Sequence, residues 1–234
     1  MKNLTYIAAL LFSMTLLLTS GEAQERADER ERMVETQLKE RDITDERVLE
    51  AMGTVPRHLL VPEDHRNFAY ADRPLPIGHS QTISQPYIVA KMTQELNLEP
   101  DDKVLEIGAG SGYHASVISR IVDEVYTIEI IEGLSRQAKE GIAELGYDNI
   151  EVKYADGYYG WEEHAPFDAI VVTAGAEYIP PPLIEQLQEG GKMIIPVGNP
   201  YRNQNLTLVR KEDGEKRTET LMPVRFVPFQ REED

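Results

Sequence analysis

Three glycines stand close together in the middle of the chain, at the end of a short apolar run. Residues 106–112 read EIGAGSG, so Glu106 precedes Gly108, Gly110 and Gly112. Glycine permits tight turns and a close approach of the backbone to a ligand, because it has no Cβ atom. Dinucleotide-binding folds place two residues before the last glycine of their motif, whereas here Ser111 alone fills that interval. We predict a nucleotide-like ligand other than a dinucleotide; the alternative is a glycine-rich turn that binds nothing.

Two further carboxylates follow apolar runs downstream of the glycines. Glu129 lies at the end of the run 125–130, and Asp156-Gly157 follow the run 150–154. The carboxyl ends of parallel strands form the ligand-binding edge of an α/β sheet. Glu129 there can accept hydrogen bonds from ribose hydroxyls, and Asp156 from an adenine amino group. The alternatives are a solvated strand-end acid at Glu129 and a simple Asp-Gly turn at 156–157.

An upstream segment, 74–86, reads PLPIGHSQTISQP and lies within a longer stretch, 62–86, rich in Pro, Gly, His and Ser. This stretch has no sustained periodicity, so we predict a long loop, which in a folded domain is either functional or disordered. Ser84 offers a hydroxyl in this loop. It can equally cap a helix that begins at Pro86.

The elements that must position these residues alternate along the chain. Strands are predicted at 103–107, 125–130, 150–154, 169–173 and 192–197, with helical stretches at 115–121, 134–145 and 183–187 that stop at Gly146 and Gly190. Two more strands, 206–209 and 221–226, are joined by an Asp213-Gly214 turn. Such alternation predicts an α/β fold with a doubly wound, mostly parallel, Rossmann-like sheet that ends in an antiparallel C-terminal pair.

The N-terminus has the pattern of a secretory signal peptide over residues 1–23. Lys2 precedes an apolar run over 4–18, followed by small residues at Gly21 and Ala23. A transmembrane helix is the competing interpretation, but the run is shorter than the ~20 residues that a span needs.

We expect 24–234 to be a single domain, with 24–100 as a helical and loop extension for the substrate. Its first part, 24–39, is dense in Glu and Arg and is predicted to be a solvated helix or a flexible arm.

Composition excludes several classes of function. The 234 residues carry a net charge of -17, which opposes nucleic-acid binding, because that needs clustered Lys and Arg. The chain has no Cys, which rules out thiolate chemistry, and its five His lack ligand spacing, so no metal site is predicted.

These segments together resemble the protein-L-isoaspartate (D-aspartate) O-methyltransferase family. The glycine segment is similar to the first motif of class I S-adenosylmethionine-dependent methyltransferases in general. The stretches 82–86, TISQP, and 225–228, RFVP, are far more specific, and 55–58, 73–86, 166–170 and 190–191 also match. The chain departs from the family pattern at three positions. Ser80 stands where Gly is usual, Ala109 where Thr is common and His114 where Gln is common.

The resemblance implies a repair reaction. Members of the family transfer a methyl group from S-adenosyl-L-methionine to the free α-carboxylate of L-isoaspartyl, and also D-aspartyl, residues in damaged proteins. The ester then closes to a succinimide, which can reopen to Asp. Partners would be damaged proteins and peptides, with no nucleic acid, no stable membrane association once the leader is removed, and a monomeric enzyme.

The resemblance also implies a role for each matched residue. Ser84 would be the catalytic residue and orient the substrate carboxylate. Glu106 and Gly108 would meet the methionine portion of the cofactor, Glu129 its ribose, and Asp156 its adenine. The full set of implied cofactor-binding residues is Gln81, Thr82, Ile83, Glu106, Gly108, Gly110, Gly112, Glu129, Asp156 and Gly157. The implied substrate cleft consists of Val224, Arg225, Phe226, Val227 and Pro228.

Three rival functions remain at this point: a methyltransferase for other acids or side chains, a noncatalytic exported binding module, and an oxidoreductase that uses a dinucleotide. Localisation has two opposing indications. The leader predicts export to the periplasm or medium, whereas the family and the supply of cofactor predict the cytoplasm.

Overall fold

A computed structural model describes residues 26–199 and 201–232, so the predicted leader lies outside the described residues. In chain order the strands are β1 (Leu75–Gly78), β2 (Gln81–Ile83), β3 (Lys103–Ile107), β4 (Glu124–Glu129), β5 (Ile150–Tyr154), β6 (Phe167–Val172), β7 (Leu187–Val197), β8 (Gln204–Glu212) and β9 (Glu215–Val224). The helices are α1 (Ala27–Met33), α2 (Glu46–Thr54), α3 (Pro86–Leu96), α4 (Tyr113–Ile118), α5 (Glu132–Glu144) and α6 (Pro181–Gln186).

Seven of these strands form one sheet, in the order β5-β4-β3-β6-β7-β8-β9. The first five run parallel, and β8 and β9 form an antiparallel hairpin beside β7. This confirms the predicted doubly wound α/β class and its antiparallel C-terminal pair. Strand order reverses at β3, which lies between β4 and β6, and ligands of such sheets bind at the carboxyl ends of the strands beside this point. The glycine segment leaves β3 there.

Side chains of β3 alternate between the two faces of the sheet, as strand geometry requires. Val104 packs into the core on the face that also buries the N-terminal helices, whereas Leu105 and Ile107 pack into the core on the opposite face. Glu106 therefore points with Val104 toward the N-terminal segment. A carboxylate is thus enclosed between the sheet and the N-terminal part of the chain.

The beginning of the described chain is more deeply packed than its composition predicts. The helix α1 continues through a π-helical segment, Val34–Lys39, and buries Met33, Val34 and Leu38. Arg30 is also buried, and its Nε donates to the Gly53 carbonyl at 3.2 Å. Of the two alternatives predicted for 24–39, the helix forms over Ala27–Lys39 and the flexible arm is wrong there. The helix is solvated on one side only, because three apolar side chains among many charges are enough to anchor the other side.

The predicted loop at 62–86 contains a β-hairpin, β1–β2. Its turn has three consecutive residues with positive φ, namely Gly78 at 91°, His79 at 49° and Ser80 at 57°. Residues other than glycine adopt this conformation uncommonly, so His-Ser gives no turn signal in the sequence. Short 3₁₀ turns, Arg57–Leu60 and Glu63–Phe68, lead into the hairpin.

Two boundaries near the C-terminus also differ from prediction. Gly190 does not stop a helix; it has φ of 82° inside β7, where an irregularity interrupts the pairing with β6. Strand β9 ends at Val224, before Phe226, whose backbone N–H donates to the Gln204 side chain at 2.9 Å. The chain after β9 instead turns toward the carboxyl edge of the sheet. Over the described residues, no helix is long and apolar enough to cross a membrane.

Arg57 links the hairpin region to the rest of the fold. Its side chain is fully buried; Nε donates to the Ala69 carbonyl and Nη2 to the Ser84 carbonyl, both at 2.7 Å. The guanidinium also lies 4.7 Å from the centre of the Tyr113 ring. Burial lowers the pKa of Arg57 to about 10, so the group is still charged at neutral pH. The position of Ser84 depends on this charge.

We predict that Arg57→Met lowers the free energy of unfolding by about 3 kcal/mol, because it removes a charged donor from the buried Ala69 carbonyl and the partly buried Ser84 carbonyl. The measurement is urea unfolding, with the exposed Arg136→Met as the matched control. A loss no greater than that of the control would contradict this role.

Candidate functional site

Hydrogen bonds join the carboxyl end of β3 to the residue that follows β6. The Thr173 hydroxyl contacts the Gly108 carbonyl at 2.7 Å and the Ile107 carbonyl at 3.0 Å. Gly108 has φ of 99°, and a Cβ atom at this position would lie 2.4 Å from Thr173 Oγ1. Only glycine fits here, so the close packing of the two strand ends fixes the residue type.

Glu129 holds the same loop from the end of β4. One carboxylate oxygen accepts from the Gly110 backbone N–H at 2.8 Å, and the other accepts from the Ile131 N–H at 2.9 Å. Burial raises the pKa of Glu129, while these N–H groups oppose that rise. A carboxylate has about four acceptor positions, so capacity remains for ligand hydroxyls.

The space above these strand ends, here called the outer cavity, brings together most of the predicted cofactor residues. Its lining includes Gln81, Thr82, Gly108, Gly110, Glu129, Gly157, Val227 and Pro228. Ile128, Ile130, Ile131 and Phe229 add apolar walls. A cavity with apolar sides, a carboxylate and a bare glycine backbone has the chemistry of a nucleoside site.

A smaller space, here called the inner cavity, lies beneath the glycine loop. It is lined by the predicted residues Thr82, Ile83, Ser84, Glu106, Gly108 and Gly110, together with Ser111 and His114. Glu106 is fully buried; Oε2 accepts from the Thr127 hydroxyl at 2.5 Å, whereas Oε1 has no hydrogen-bond partner. Burial raises the pKa of Glu106 to about 8.

A third space, here called the groove, runs past Ser84. The residues that face it include Arg41, Tyr87 and the segment Val224, Arg225, Phe226 and Val227. The structure thus brings Ser84 together with four of the five residues predicted for the substrate cleft, and places Pro228 in the outer cavity. Thr82 and Thr173 line all three spaces, so the outer cavity, the inner cavity and the groove meet between these two side chains.

Ser84 does not cap the helix that follows it. Helix α3 begins at Pro86, and its N-cap residue is Gln85, whose side chain makes no capping hydrogen bond. The side chain that accepts in the first turn is that of Asp72, from the Tyr87 N–H at 3.4 Å. The capping alternative is therefore wrong. The backbone of Ser84 is held by Arg57, and its half-buried side chain lies where the groove meets the inner cavity.

Two predicted cofactor residues lie away from the cavity linings. Gly112 precedes α4 with φ of 81°, and its lack of a side chain is explained by Ile142, whose Cδ1 would lie 2.9 Å from an added Cβ. Asp156 accepts from the Tyr158 N–H at 2.9 Å and from Arg231 Nε at 2.8 Å. Contact of Gly112 and Asp156 with a cofactor stays a prediction.

Several residues of the site were not predicted from sequence. Thr173 is the clearest: it was recognised as the end of a strand, and its place beside β3 at the carboxyl edge could have marked it. Phe229 and Gln230 join the outer cavity because the tail is paired to Gly175, whose N–H donates to the Val227 carbonyl at 2.8 Å. That pairing has no sequence signature.

Comparison with known proteins decides between the possible nucleoside-binding enzymes. The family model for protein-L-isoaspartate(D-aspartate) O-methyltransferases matches residues 28–234. A protein-L-isoaspartate O-methyltransferase of Opitutus terrae is 58% identical over 226 residues, which cover 96% of this chain and 97% of the relative. The chain belongs to the protein-L-isoaspartate O-methyltransferase family.

Other relatives and solved structures agree with this assignment to the protein-L-isoaspartate O-methyltransferases. A protein-L-isoaspartate O-methyltransferase 2 of Shewanella sediminis is 49% identical over 226 residues, with 96% of this chain and 93% of the relative covered. A Plasmodium falciparum chain described as a family member was solved in complex with S-adenosyl-L-homocysteine. It matches with a TM-score of 0.75 at 30% identity, and covers 86% of this chain and 98% of its own.

The cavities fit the S-adenosyl cofactor of this methyltransferase family. Gly108 and Gly110 leave the loop backbone bare beside the outer cavity, and Glu129 lies there with spare acceptor capacity. Glu106 lines the inner cavity, and its Oε1 atom has no hydrogen-bond partner. A carboxylate oxygen there is a suitable acceptor for the ammonium group of the cofactor's amino-acid end. Within 26–199 and 201–232, no group of three or more His, Cys, Asp or Glu could hold a metal ion.

We predict that Gly108→Ala weakens binding of S-adenosylhomocysteine at least tenfold, because the new Cβ collides with Thr173 and displaces the loop. Gly214→Ala is the matched control: its φ of 76° carries similar backbone strain, but no atom lies within 4 Å. Calorimetric titration and thermal melting of both variants make the comparison. Equal effects of the two substitutions would show that strain, and not the close approach, matters.

We also predict that Glu106→Gln stabilises the cofactor-free protein at alkaline pH. Because the pKa of Glu106 is raised to about 8 in the folded state, the contribution of Glu106 to stability is fully present below about pH 4.5 and is lost as pH rises through 8. The amide of the variant does not titrate. The variant's advantage in free energy of unfolding should grow from pH 5 to pH 8, to ~1–3 kcal/mol. Urea unfolding at several pH values measures this, and a pH-independent difference would contradict it.

Proposed function

We propose that this chain transfers a methyl group from S-adenosyl-L-methionine to the free α-carboxylate of L-isoaspartyl, and also D-aspartyl, residues in damaged proteins and peptides. One observation carries this proposal beyond family membership: Ser84 lies where a groove open to a peptide meets the cavities that suit the cofactor. A backbone amide nitrogen then attacks the methyl ester without the enzyme, methanol leaves and a succinimide forms, and water can reopen the succinimide to Asp.

The chemistry requires no general base in the protein. When bound, S-adenosylmethionine supplies a methyl group on a positively charged sulfur. The attacking carboxylate has an ordinary pKa near ~3.9, so it is already ionised at neutral pH. The protein therefore contributes orientation and exclusion of water. The residues where the groove meets the cavities agree with this role. Thr82, Ser84 and Thr173 lie there, and their side chains carry hydroxyl groups rather than a titratable base.

A neutral hydroxyl is better suited to this carboxylate than a strong cationic clamp. Charge disappears as the anionic oxygen joins the cationic donor, so a clamp would stabilise the ground state more than the transition state. Arg41 lines the groove, but it pairs with Asp72 at 2.9 Å and lies 3.2 Å from the centre of the Tyr87 ring. Its charge is thus largely engaged elsewhere. Arg225 also faces the groove, but it is exposed, whereas Ser84 lies where the groove meets the inner cavity, so we assign orientation of the carboxylate to Ser84.

The walls of the groove suit a peptide in an extended conformation. Strand β9 ends at Val224, and the following residues lie along the groove with Gln204 holding the Phe226 N–H. Aromatic and aliphatic side chains of the groove can pack against the backbone of a bound peptide without selecting among the peptide's own side chains.

The proposed function is tested with a synthetic isoaspartyl peptide and its Asp twin, using labelled S-adenosylmethionine. Base-labile label on the isoaspartyl peptide alone is the expected result. Label on both peptides, or on neither while the cofactor binds, would assign the chain to another acceptor. Absence of cofactor binding would favour a noncatalytic module.

We predict that Ser84→Ala lowers kcat by about tenfold to 100-fold, since one hydrogen bond to a charged group contributes about 1.5–3 kcal/mol. The dissociation constant for S-adenosylhomocysteine should stay unchanged, because the role is on the substrate side. Ser119→Ala is the control, a buried serine whose hydroxyl donates to the Ser116 carbonyl. Matched losses of turnover and cofactor affinity would refute this role for Ser84.

A further inference from the structure

The chain contains two Asp-Gly pairs, Asp156-Gly157 and Asp213-Gly214, and no Asn-Gly pair. In such a pair the backbone nitrogen of the glycine can attack the side-chain carboxyl of the aspartate, because the glycine has no Cβ atom to hinder the approach. The attack needs an accessible pair whose two residues can rotate. The structure places the two pairs in opposite surroundings.

The first pair is buried and immobilised. Asp156 is 6% exposed, and its carboxylate accepts from the Tyr158 N–H at 2.9 Å and from Arg231 Nε at 2.8 Å. Gly157 is packed against Ile107, whose Cγ2 atom would lie 2.4 Å from an added Cβ. Neither residue is free to rotate into the geometry of the attack, so this pair is protected.

The second pair is the exposed two-residue turn between β8 and β9. Glu212 and Glu215 pair across it, and φ is 55° at Asp213 and 76° at Gly214. Apart from the chain neighbours of Gly214, no atom lies within 4 Å of the position that a Cβ would take there. Among the described residues, none is hydrogen-bonded to the Asp213 carboxylate. This carboxyl group can therefore turn toward the Gly214 nitrogen.

Glu189 of β7 contacts both backbone N–H groups of this turn. Its Oε1 atom accepts from the Asp213 N–H, and its Oε2 atom accepts from the Gly214 N–H at 3.2 Å. A carboxylate that contacts the attacking nitrogen can take up the proton that this nitrogen loses when it forms a new bond. The turn therefore has a nucleophile, an acceptor carboxyl and a base side by side.

We propose that Asp213 isomerises to isoaspartate through a succinimide, and that Glu189 promotes this reaction as a base. The Gly214 nitrogen bonds to the side-chain carboxyl carbon of Asp213, and its proton passes to Glu189. One carboxyl oxygen leaves as water, with that proton and a second one from the solvent. Water then adds at the former main-chain carbonyl of Asp213 and breaks its bond to nitrogen. The new α-carboxylate releases one proton, and the chain now runs through the side-chain carbon.

Isomerisation lengthens the backbone of this two-residue turn by one carbon atom. The register of a hairpin is set by the length of its turn, so the paired ends of β8 and β9 should loosen. The turn lies at the amino edge of the sheet, because β8 begins beside the carboxyl end of β7, where Val197 pairs with Asn205, and runs antiparallel to β7. The cavities and the groove lie at the opposite edge, so affinity for S-adenosylhomocysteine should not change.

The test ages the full chain at neutral pH without S-adenosylmethionine, so that the proposed activity cannot act on the product. Trypsin then releases residues 212–216 as one peptide, and electron-transfer fragmentation distinguishes isoaspartate from Asp. The unaged protein gives the baseline. Isoaspartate should accumulate at Asp213, with a transient species lighter by one water, while Asp156 stays intact. This comparison uses the wild type alone and does not depend on how variants fold.

Two variants test the chemistry at the turn. Glu189→Gln should slow the accumulation about tenfold, less than the roughly 100-fold effect of a positioned base in an enzyme, because Glu189 is exposed to water. The Gln amide oxygen still accepts an N–H but takes no proton. Glu177→Gln, at an exposed glutamate outside the hairpin, should leave the rate unchanged. Asp213→Asn should react several times faster, because ammonia leaves more readily than a carboxylate oxygen and Asn-Gly suits the same turn.

Isoaspartate at equal rates at Asp156 and Asp213, or at neither, overturns this inference. An unchanged or faster rate in Glu189→Gln overturns it as well, since Glu189 would then only restrain the turn. A loss of affinity for S-adenosylhomocysteine in proportion to the isoaspartate at position 213 would also contradict it. None of these outcomes bears on the proposed function, which the isoaspartyl peptide tests separately.

Discussion

Enclosure of the Glu106 carboxylate between the central sheet and the N-terminal segment is the constraint on which the site depends. The residue lies on β3 opposite Thr127 of β4, which satisfies one carboxylate oxygen and leaves the other without a partner. Burial alone would exclude an ionised carboxylate, and the pKa near 8 expresses that cost. A cationic ligand group bound in the inner cavity would offset this cost.

Residues at the ends of the strands next to β3 fix the position of the glycine loop beside Glu106. Glu129 of β4 and Thr173 after β6 hold the glycine loop from opposite sides, so the loop backbone has little freedom. On the other side of the junction, Arg57 holds the Ser84 carbonyl. The donor pocket and the acceptor groove are therefore tied to separate parts of the fold and meet between Thr82 and Thr173. Methyl transfer needs this alignment more than it needs an acid or a base.

Features that obey local rules could be predicted from the sequence, whereas those that depend on distant parts of the chain could not. The bounds of β3 and β5 agree with the predicted strands, and the Asp213-Gly214 turn joins β8 to β9 as its residue types require. By contrast, the β1–β2 turn uses His79 and Ser80 at positive φ, a conformation that residues other than glycine adopt uncommonly. The sequence marks His114 only as a departure from the family pattern; its contact with Thr93 on another helix and its place in the lining of the inner cavity follow from the tertiary fold.

The most direct test of the central claim, that a bound cation offsets the buried charge of Glu106, is the number of protons exchanged on ligand binding. Calorimetric titration with S-adenosylhomocysteine at pH 7, in two buffers of different ionisation enthalpy, gives this number. We predict the release of up to one proton per ligand bound, since Glu106 is mostly protonated before binding and ionised after it, and no such release from Glu106→Gln. Equal proton exchange by the two proteins would contradict the account.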